Sequence, residues 1–565
     1  MIEFPPFLLF FIAAAIAAVL SGKPRAIVML LVPVLGALNL WQIGTGVVQS
    51  VSFLGYELTP FRSDDLSILF GYLFHIAAFI GIVFSLHVRD SIQHSAALVY
   101  AGGALGAVFA GDLLTFFVFW EVMAISSVFL IWARRTERSL RAGFRYLIIQ
   151  VLSGVLLLGG ALFVFHDTGT LSFNEIGLVG TGGWIIFIAL GIKCAFPFMH
   201  NWLTDGYPEA TPTGTVFLSA FTTKVAVYAL ARGYPGTDIL IYIGAAMAFF
   251  PIYFAVIEND LRRVLAYSLI NQVGFMVVGI GIGTALAING AIAHAFNDVI
   301  FKGLLFMAMG AVLHVTGRIN GSDLGGLYKK MPITTVLCIV GAASISAFPL
   351  FSGFVSKSMV MSAALAEGHD WVWLCLLFAS AGVFHHAGIK IPYFAFFAHD
   401  AGIEAKEPPL NMLLAMGLAA ILCVAIGSYP QALYAMLPFE VDYTAYDASH
   451  VLAQLQLLFF SALAFVWLNL RGLYPPELPS TNIDAEWFYR KLAPESIRYL
   501  MAKAKPGYDA VSQFVGDFVT TGIVKNLVRY HGPEGILGRA WLIGSMVLWV
   551  VGLLGFYLFV YYFQQ

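Results

Sequence analysis

The sequence predicts an all-α, polytopic membrane fold with about 14–16 transmembrane helices. Three observations predict it. Of 565 residues, 60% are hydrophobic and 11% are charged, against about 25% charged in soluble domains. Apolar runs of about 20 residues, the length that crosses a bilayer, recur from end to end. Basic residues collect on alternate connections between these runs. A mean hydropathy of +0.84 excludes a water-soluble enzyme. A net charge of −2 leaves no basic surface for nucleic acid. Cys194, Cys338, Cys375 and Cys423 are scattered through apolar runs, so no disulfide framework, metal cluster or cofactor is expected.

The first apolar run, Phe4 to Leu20, has no positive segment before it, only Glu3, and reads as an uncleaved helix rather than a signal peptide. Spans are expected near 4–21, 26–44, 66–88, 95–110, 113–132, 142–165, 183–203 and 213–232. The second half continues with 238–257, 264–283, 286–314, 333–365, 371–397, 410–428, 451–470 and 541–562, sixteen in all. Fourteen of the 30 basic residues, among them Arg89, Arg134, Arg262 and Lys330, lie on one set of alternating connections. Only Arg62 and Arg232 lie on the other. The positive-inside rule then puts both termini outside and residues 471–540 in the cytoplasm.

Five lysines fall within apolar spans: Lys193, Lys224, Lys302, Lys357 and Lys390. Glu121 and Asp298 join them. A charge at mid-membrane costs about 2.5–3.5 kcal/mol, so these groups are expected to face a protein interior rather than lipid. Isolated ion pairs or snorkelling would explain any one of them. They explain the set poorly, because every embedded base is lysine and none is arginine. Arginine cannot release its proton in a protein, whereas a buried lysine can. Histidines 75, 200, 294, 314, 385 and 386 lie in or beside spans, and a neutral imidazole can accept on one nitrogen and donate from the other. His294 precedes Asp298 by four residues and Lys302 by eight, which places all three on one helix face.

Two spans are interrupted alike. Lys193 stands four residues before Pro197, and Lys357 eight after Pro349, with Ala-Phe-Pro in both. Proline inside a helix frees backbone carbonyls, and paired breaks in two halves are a feature of transporters with repeated halves. Near the C-terminus, residues 508–530 carry Val511, Phe514, Val515, Phe518 and Val519 at helical spacing, which predicts a helix with one apolar face on the membrane or on a neighbouring subunit.

The chain resembles the D-type subunit of Mrp-type multisubunit cation/proton antiporters, kin of the antiporter-like subunits of respiratory complex I and of membrane-bound hydrogenases. The motifs that carry the resemblance are ordered over roughly residues 60–430. They are Phe119-Trp120-Glu121, Lys193 with Phe-Pro-Phe-Met-His-Asn-Trp-Leu, Glu-Ala-Thr-Pro-Thr at 209–213, and Thr-Thr-Lys-Val-Ala-Val-Tyr around Lys224. Glu-Asn-Asp-Leu-Arg-Arg-Val-Leu-Ala-Tyr-Ser at 258–268, His294 to Lys302, and Phe-Ser-Gly-Phe-Val-Ser-Lys ending at Lys357 complete them. The resemblance implies two inverted five-helix repeats with the seventh and twelfth helices discontinuous. It implies that Glu121 pairs with Lys193, that Lys224 leads towards the centre, that His294 and Lys302 continue the path, and that Lys357 ends it. Many relatives carry a histidine where this chain has Asp298, and that carboxylate could stabilise a protonated neighbour or offer an oxygen to Na⁺. The implied organisation is N-terminal helices in 1–94, repeats in 95–232 and 238–397, C-terminal spans in 410–470, an amphipathic segment in 471–540 and a last helix in 541–565.

The function implied is proton translocation, with Na⁺ as a further candidate, by one subunit of a larger assembly in a bacterial plasma (inner) membrane. A subunit of a redox-driven pump is the alternative. A chain that itself binds quinone or metal is disfavoured by the lack of a Cys cluster, a Gly-rich nucleotide loop or a haem-ligand pattern. A scaffold that no longer transports is disfavoured by the intact Glu121, Lys193, Lys224 and Lys357 set.

Overall fold

The computed structural model describes residues 4–478, 482–535, 537–538 and 542–563. Glu3 and the junction at 539–541, where the last span was expected to begin, lie outside the described residues. Thirteen described helices are long and apolar enough to cross a membrane, and three shorter apolar ones, Pro6–Val19, Gly180–Cys194 and Pro332–Ile345, complete the sixteen expected spans.

The first six spans are α1 (Pro6–Val19), α2 (Gly22–Ile43), α3 (Asp65–Ser85), α4 (Ser91–Phe109), α5 (Leu113–Trp132) and α6 (Glu137–Thr168). Side-chain caps fix many of the helix starts. Asp64, Asp90, Asp112 and Thr136 each accept a hydrogen bond from the second or third N–H of the helix that follows, worth about 1 kcal/mol apiece. The capping box at Thr136 starts α6 well before the expected residue 142, because its first turn is polar and hydropathy alone passes over it.

The seventh span is broken into α7 (Gly180–Cys194) and α8 (Asn201–Gly206), and the eighth into α9 (Gly214–Ala220) and α10 (Thr222–Gly233). Next come α11 (Ile239–Ile257), α12 (Leu261–Ile282) and α13 (Ala285–Thr316). The twelfth span is broken into α14 (Pro332–Ile345) and α15 (Ser352–Ala366). Thus the seventh and twelfth spans are both discontinuous, as expected, and their breaks share one backbone geometry. Ala195 and Phe198 have φ of 63° and 67°, and Ala347 and Leu350 have φ of 58° and 75°. These are the first and fourth residues of Ala-Phe-Pro-Phe and Ala-Phe-Pro-Leu. Left-handed backbone at a non-glycine residue costs about 1–3 kcal/mol and persists only where the surroundings hold it.

The thirteenth span begins as α16 (Asp370–Val383) and continues through wide π turns on either side of α17 (Lys390–Pro392). Pro392 supplies no N–H to the previous turn, which favours this unwinding. Three helices follow: α18 (Leu410–Ser428), the short α19 (Gln431–Tyr434) and α20 (Ala448–Leu470). At the centre, the eighth span is buried from Gly214 to Ala231 and α13 is buried without interruption from Ala287 to Val312. A helix buried all round belongs to the core.

One feature departs from an all-α chain. Between α2 and α3, strands β1 (Val48–Phe53) and β2 (Tyr56–Arg62) form an antiparallel hairpin, with Leu54 and Gly55 both at positive φ in its turn. Arg62 at its end donates to Phe173 O at 2.7 Å and Asn174 Oδ1 at 2.8 Å. Contacts between connections respect the alternation expected from the charges. Arg232 binds Asp64 on one face, while Arg134 and Arg138 bind Glu209 on the other. On that second, basic face the buried Arg262 donates to Pro208 O, Ala210 O and Thr211 O at 3.0–3.2 Å. The Glu-Ala-Thr-Pro-Thr and Glu-Asn-Asp-Leu-Arg-Arg motifs are therefore two halves of one structural lock.

Residues 483–565 form a second unit. It holds α21 (Ala493–Asp517), a π turn, α22 (Lys525–His531) and α23 (Ile543–Phe563). The expected 508–530 helix is the latter part of a longer one, and none of its side chains is buried.

Candidate functional site: a buried file of lysines

All five embedded lysines are buried, with exposures of 0% for Lys193, Lys224, Lys302 and Lys390 and 1% for Lys357. Each ammonium is met by oxygen.

Lys193 lies in the last turn of α7. Its Nζ donates to Trp120 O at 2.7 Å and sits 4.2 Å from the centroid of the Trp120 ring. Trp120 is held by its indole N–H, which donates to Ser153 Oγ at 3.0 Å, and Ser153 in turn donates to Ala189 O at 2.7 Å. Glu121 follows on α5 and is half-buried. It lies within electrostatic range of Lys193, but the lysine's hydrogen bond goes to the Trp120 carbonyl, and Glu121 Oε1 is buried with no hydrogen-bond partner. The pairing of Glu121 with Lys193 is thus through space. Room for the carboxylate comes from Gly154 of α6, where a Cβ would run into Glu121 Oε1.

Lys224 follows the break at Phe221 and donates to Ser219 O at 3.1 Å. That break, unlike the other two, has neither proline nor glycine at its centre. Lys224 Nζ also lies 2.5 Å from Asp298 Oδ2, and neither side chain is exposed. Asp298, which helical spacing put on the face of Lys302 and His294, forms its ion pair with Lys224, three spans away in the chain, and also lies within electrostatic range of Lys302 and Lys357. Lys302 donates to Ser268 Oγ of α12 at 2.7 Å. His294 uses both ring nitrogens, on Ser356 Oγ at 3.0 Å and Gln272 Oε1 at 3.2 Å. Lys224, Lys302 and Lys357 all lie within electrostatic range of His294.

Lys357, on α15 beyond the break in the twelfth span, reaches back to Ile345 O at 2.8 Å, the last residue of α14. Its Nζ lies 5.1 Å from the centroid of Phe275. Lys390 stands apart. Its ammonium lies against the C-terminal end of α11, donating to Ala255 O at 3.2 Å and to Val256 O and Glu258 O at 2.6 Å, and it forms an ion pair with Glu477 Oε1 at 2.9 Å.

The structure therefore gathers Lys224, His294, Asp298, Lys302 and Lys357 into one buried cluster, with Lys193 and Glu121 beside α5 and Lys390 at the basic face. Trp120 and Ser268 lie within the motifs named above with no role assigned to them, and the sequence did not point to Gly154, Gln272 and Glu477. Polar residues inside apolar helices were the available signal for Ser268 and Gln272. Of the other histidines, His75 Nδ1 donates to Gly71 O in its own helix at 2.7 Å, and His314 meets His87 edge-on at 4.9 Å between ring centroids. Among the described residues, no group of three or more His, Cys, Asp or Glu could hold a metal ion.

A family profile described as NADH:quinone oxidoreductase/Mrp antiporter, transmembrane, matches residues 110–384. The D-type subunit of the Na(+)/H(+) antiporter of Alkalihalophilus pseudofirmus is 30% identical over 408 residues, covering 67% of this chain and 81% of that protein. The chain belongs to the NADH:quinone oxidoreductase/Mrp antiporter family. Within it, the corresponding Na(+)/H(+) antiporter protein of Bacillus subtilis is 26% identical, over 64% of this chain and 76% of that protein. A component of the Mrp complex from Dietzia sp. shares the fold with a TM-score of 0.67, at 21% identity, over 82% of this chain and 95% of that one. A component of the archaeal membrane-bound sulfane sulfur reductase has a TM-score of 0.72, at 22% identity, over 98% of this chain and all of that one. The family's members are multi-span antiporter and antiporter-like subunits, and the sixteen spans here fit among them.

Proposed function

We propose that this chain is the proton-translocating subunit of a multisubunit cation/proton antiporter in a bacterial plasma membrane, with protons passing along Lys193, Lys224, Asp298, Lys302, His294 and Lys357. The observation that carries this reading is the fully buried Lys224–Asp298 pair, which ties the broken eighth span to the α13 cluster. A lone buried ion pair is weak evidence for stability, because desolvation offsets much of its attraction. One that stands beside two further buried lysines and a doubly hydrogen-bonded histidine suits proton exchange. Glu121, when ionised, holds the charge on Lys193; its neutralisation or withdrawal favours release of that proton towards Lys224. Asp298 is engaged by Lys224, so Na⁺ would bind its carboxylate only after Lys224 gave up its proton or moved. That makes the two ions exclusive, as exchange requires.

The test is transport by the assembled complex carrying Glu121→Ala or Lys193→Ala; wild-type transport in both would sink the reading. Lys193→Arg keeps the charge, blocks deprotonation and should also fail.

A second reading, a proton-pumping subunit of a redox-driven complex, is favoured by the likeness to the sulfane sulfur reductase component over 98% of the chain. The subunits that co-purify decide between the two: redox subunits for the pump, small antiporter subunits for the exchanger.

A further inference from the structure

We propose that His386 is a further proton-carrying residue, forming with Glu477 a branch that joins the Lys302–Lys357 cluster to the basic face. This rests on the proton-relay reading above.

His386 is completely buried, yet neither ring nitrogen has a hydrogen-bond partner. His294, equally buried, uses both. A buried polar atom left unpaired costs about 1–3 kcal/mol, and each such atom in a native fold requires a reason. His386 lies on the wide π turn Phe384–Ile389, and such turns recur where a helix carries out a function. This turn packs against α14 and α12. Those helices carry Ile345 and Ser268, the groups that receive the Lys357 and Lys302 ammoniums. The charged and titratable groups within electrostatic range of His386 are Lys302, His385, Lys390 and Lys357. His385 packs edge-on to Phe465 at 5.2 Å and lies 5.3 Å from Tyr474, so it fills space rather than leading onward.

Lys390, also within electrostatic range of His386, follows it by four residues in the same span. Three backbone carbonyls and Glu477 Oε1 surround its ammonium and use all of its N–H groups, a setting that fixes the side chain in place. Lys390 is thus a positioning residue. It anchors Glu477, whose second oxygen is buried without a partner. Burial pushes the Glu477 carboxyl above its ordinary range, opposed by the Lys390 charge. Glu477 packs beside Gly321, on the connection that follows α13 at the basic face. In the proposed step a protonated Lys302 or Lys357 gives its proton to one nitrogen of His386. The N–H on the other nitrogen then breaks as the proton passes to the Glu477 carboxylate, leaving the imidazole neutral.

The experiment uses the complete complex in everted membrane vesicles and reads Na⁺-induced collapse of a pH gradient, with Lys302→Ala as reference. His386→Phe is expected to lower transport by about a hundredfold, the lower range for loss of a positioned proton carrier. His386→Lys, which can still titrate, is expected to recover transport where His386→Asn does not. Glu477→Gln is expected to shift the pH profile of transport. His386→Phe at wild-type rates with Lys302→Ala inactive would overturn the branch and leave the proposed function standing. Wild-type rates in both would overturn the proposed function as well. Where His386→Phe fails to assemble, the Lys and Asn variants decide: equal transport by the two overturns the branch.

Discussion

Lys224 Nζ and Asp298 Oδ2 stand 2.5 Å apart with no exposed surface on either side chain. Lys224 follows the bend at Phe221 in the eighth span, and Asp298 lies in the middle of the eleventh. Their attraction must offset the desolvation of two charges, so removing one partner leaves a buried charge uncompensated at a cost of about 3–5 kcal/mol. Asp298→Ala is therefore expected to lower the melting temperature of the purified complex and abolish transport. The double variant Lys224→Gln with Asp298→Asn is expected to recover most of the stability and none of the transport. A double variant as unstable as Asp298→Ala would show that the pair is not an isolated electrostatic unit.

Gly154 is expected to tolerate no side chain. A Cβ there would occupy the position of Glu121 Oε1, so Gly154→Ala must turn the carboxylate away from Lys193. The expected phenotype is that of Glu121→Ala, with loss of transport in an assembled complex, although no ionisable group has been touched. Transport at wild-type rates in Gly154→Ala would dissociate the Glu121 position from function.

The two Ala-Phe-Pro breaks predict opposite effects of two small substitutions. Ala347 has φ of 58°, where glycine is at ease and β-branched residues are not. Ala347→Gly is expected to leave melting unchanged or raise it, relieving about 1 kcal/mol. Ala347→Val is expected to prevent stable insertion, read as loss of the subunit from purified complex. The same pair of outcomes is expected at Ala195, with φ of 63°.

How much of the fold and site was legible in the sequence follows from the physics of each element. Span positions and embedded lysines were visible because hydropathy is a property of windows, and a charge inside an apolar window stands out. The proline breaks were visible because proline removes an N–H wherever it sits. Partner choice was not visible. His294, Asp298 and Lys302 share a helix, so intrahelical spacing favoured pairing among them, whereas the side chain that reaches Asp298 comes from Lys224 on another span. The bend at Phe221 carries no breaker residue. The β1–β2 hairpin turns through Leu54-Gly55 rather than an Asn-Gly signal, and the partner of Lys390 lies beyond two further spans at Glu477.

His87, just beyond α3, predicts a pH dependence. It meets His314 edge-on at 4.9 Å between ring centroids and accepts from Asn411 Nδ2 at 3.1 Å. Burial, and then the neighbouring His314, hold its pKa down from 6.5 to about 4. The unfolded chain takes up this proton below 6.5 while the native fold resists it. The contribution of His87 to stability is therefore complete above that value and is lost as pH falls through the window from 6.5 to about 4. Melting curves of the complex across this window should show the loss, and His87→Gln should flatten it. An equal slope in both proteins would assign the effect to other groups.

The matched breaks have an energetic consequence for flow. Lys193 occupies the last turn of α7, and Lys357, though it follows its break, reaches back to the last carbonyl of α14. Only the Lys357 ammonium, though, rests on the carbonyl end of the helix that stops there, where the helix dipole is negative. The Lys193 ammonium turns away to the Trp120 carbonyl of α5, with the Glu121 carboxylate in electrostatic range. Two breaks of one backbone shape therefore hold their lysines by unlike means, a fixed dipole at one and a titratable carboxylate at the other, so only the Lys193 end can be retuned by a proton.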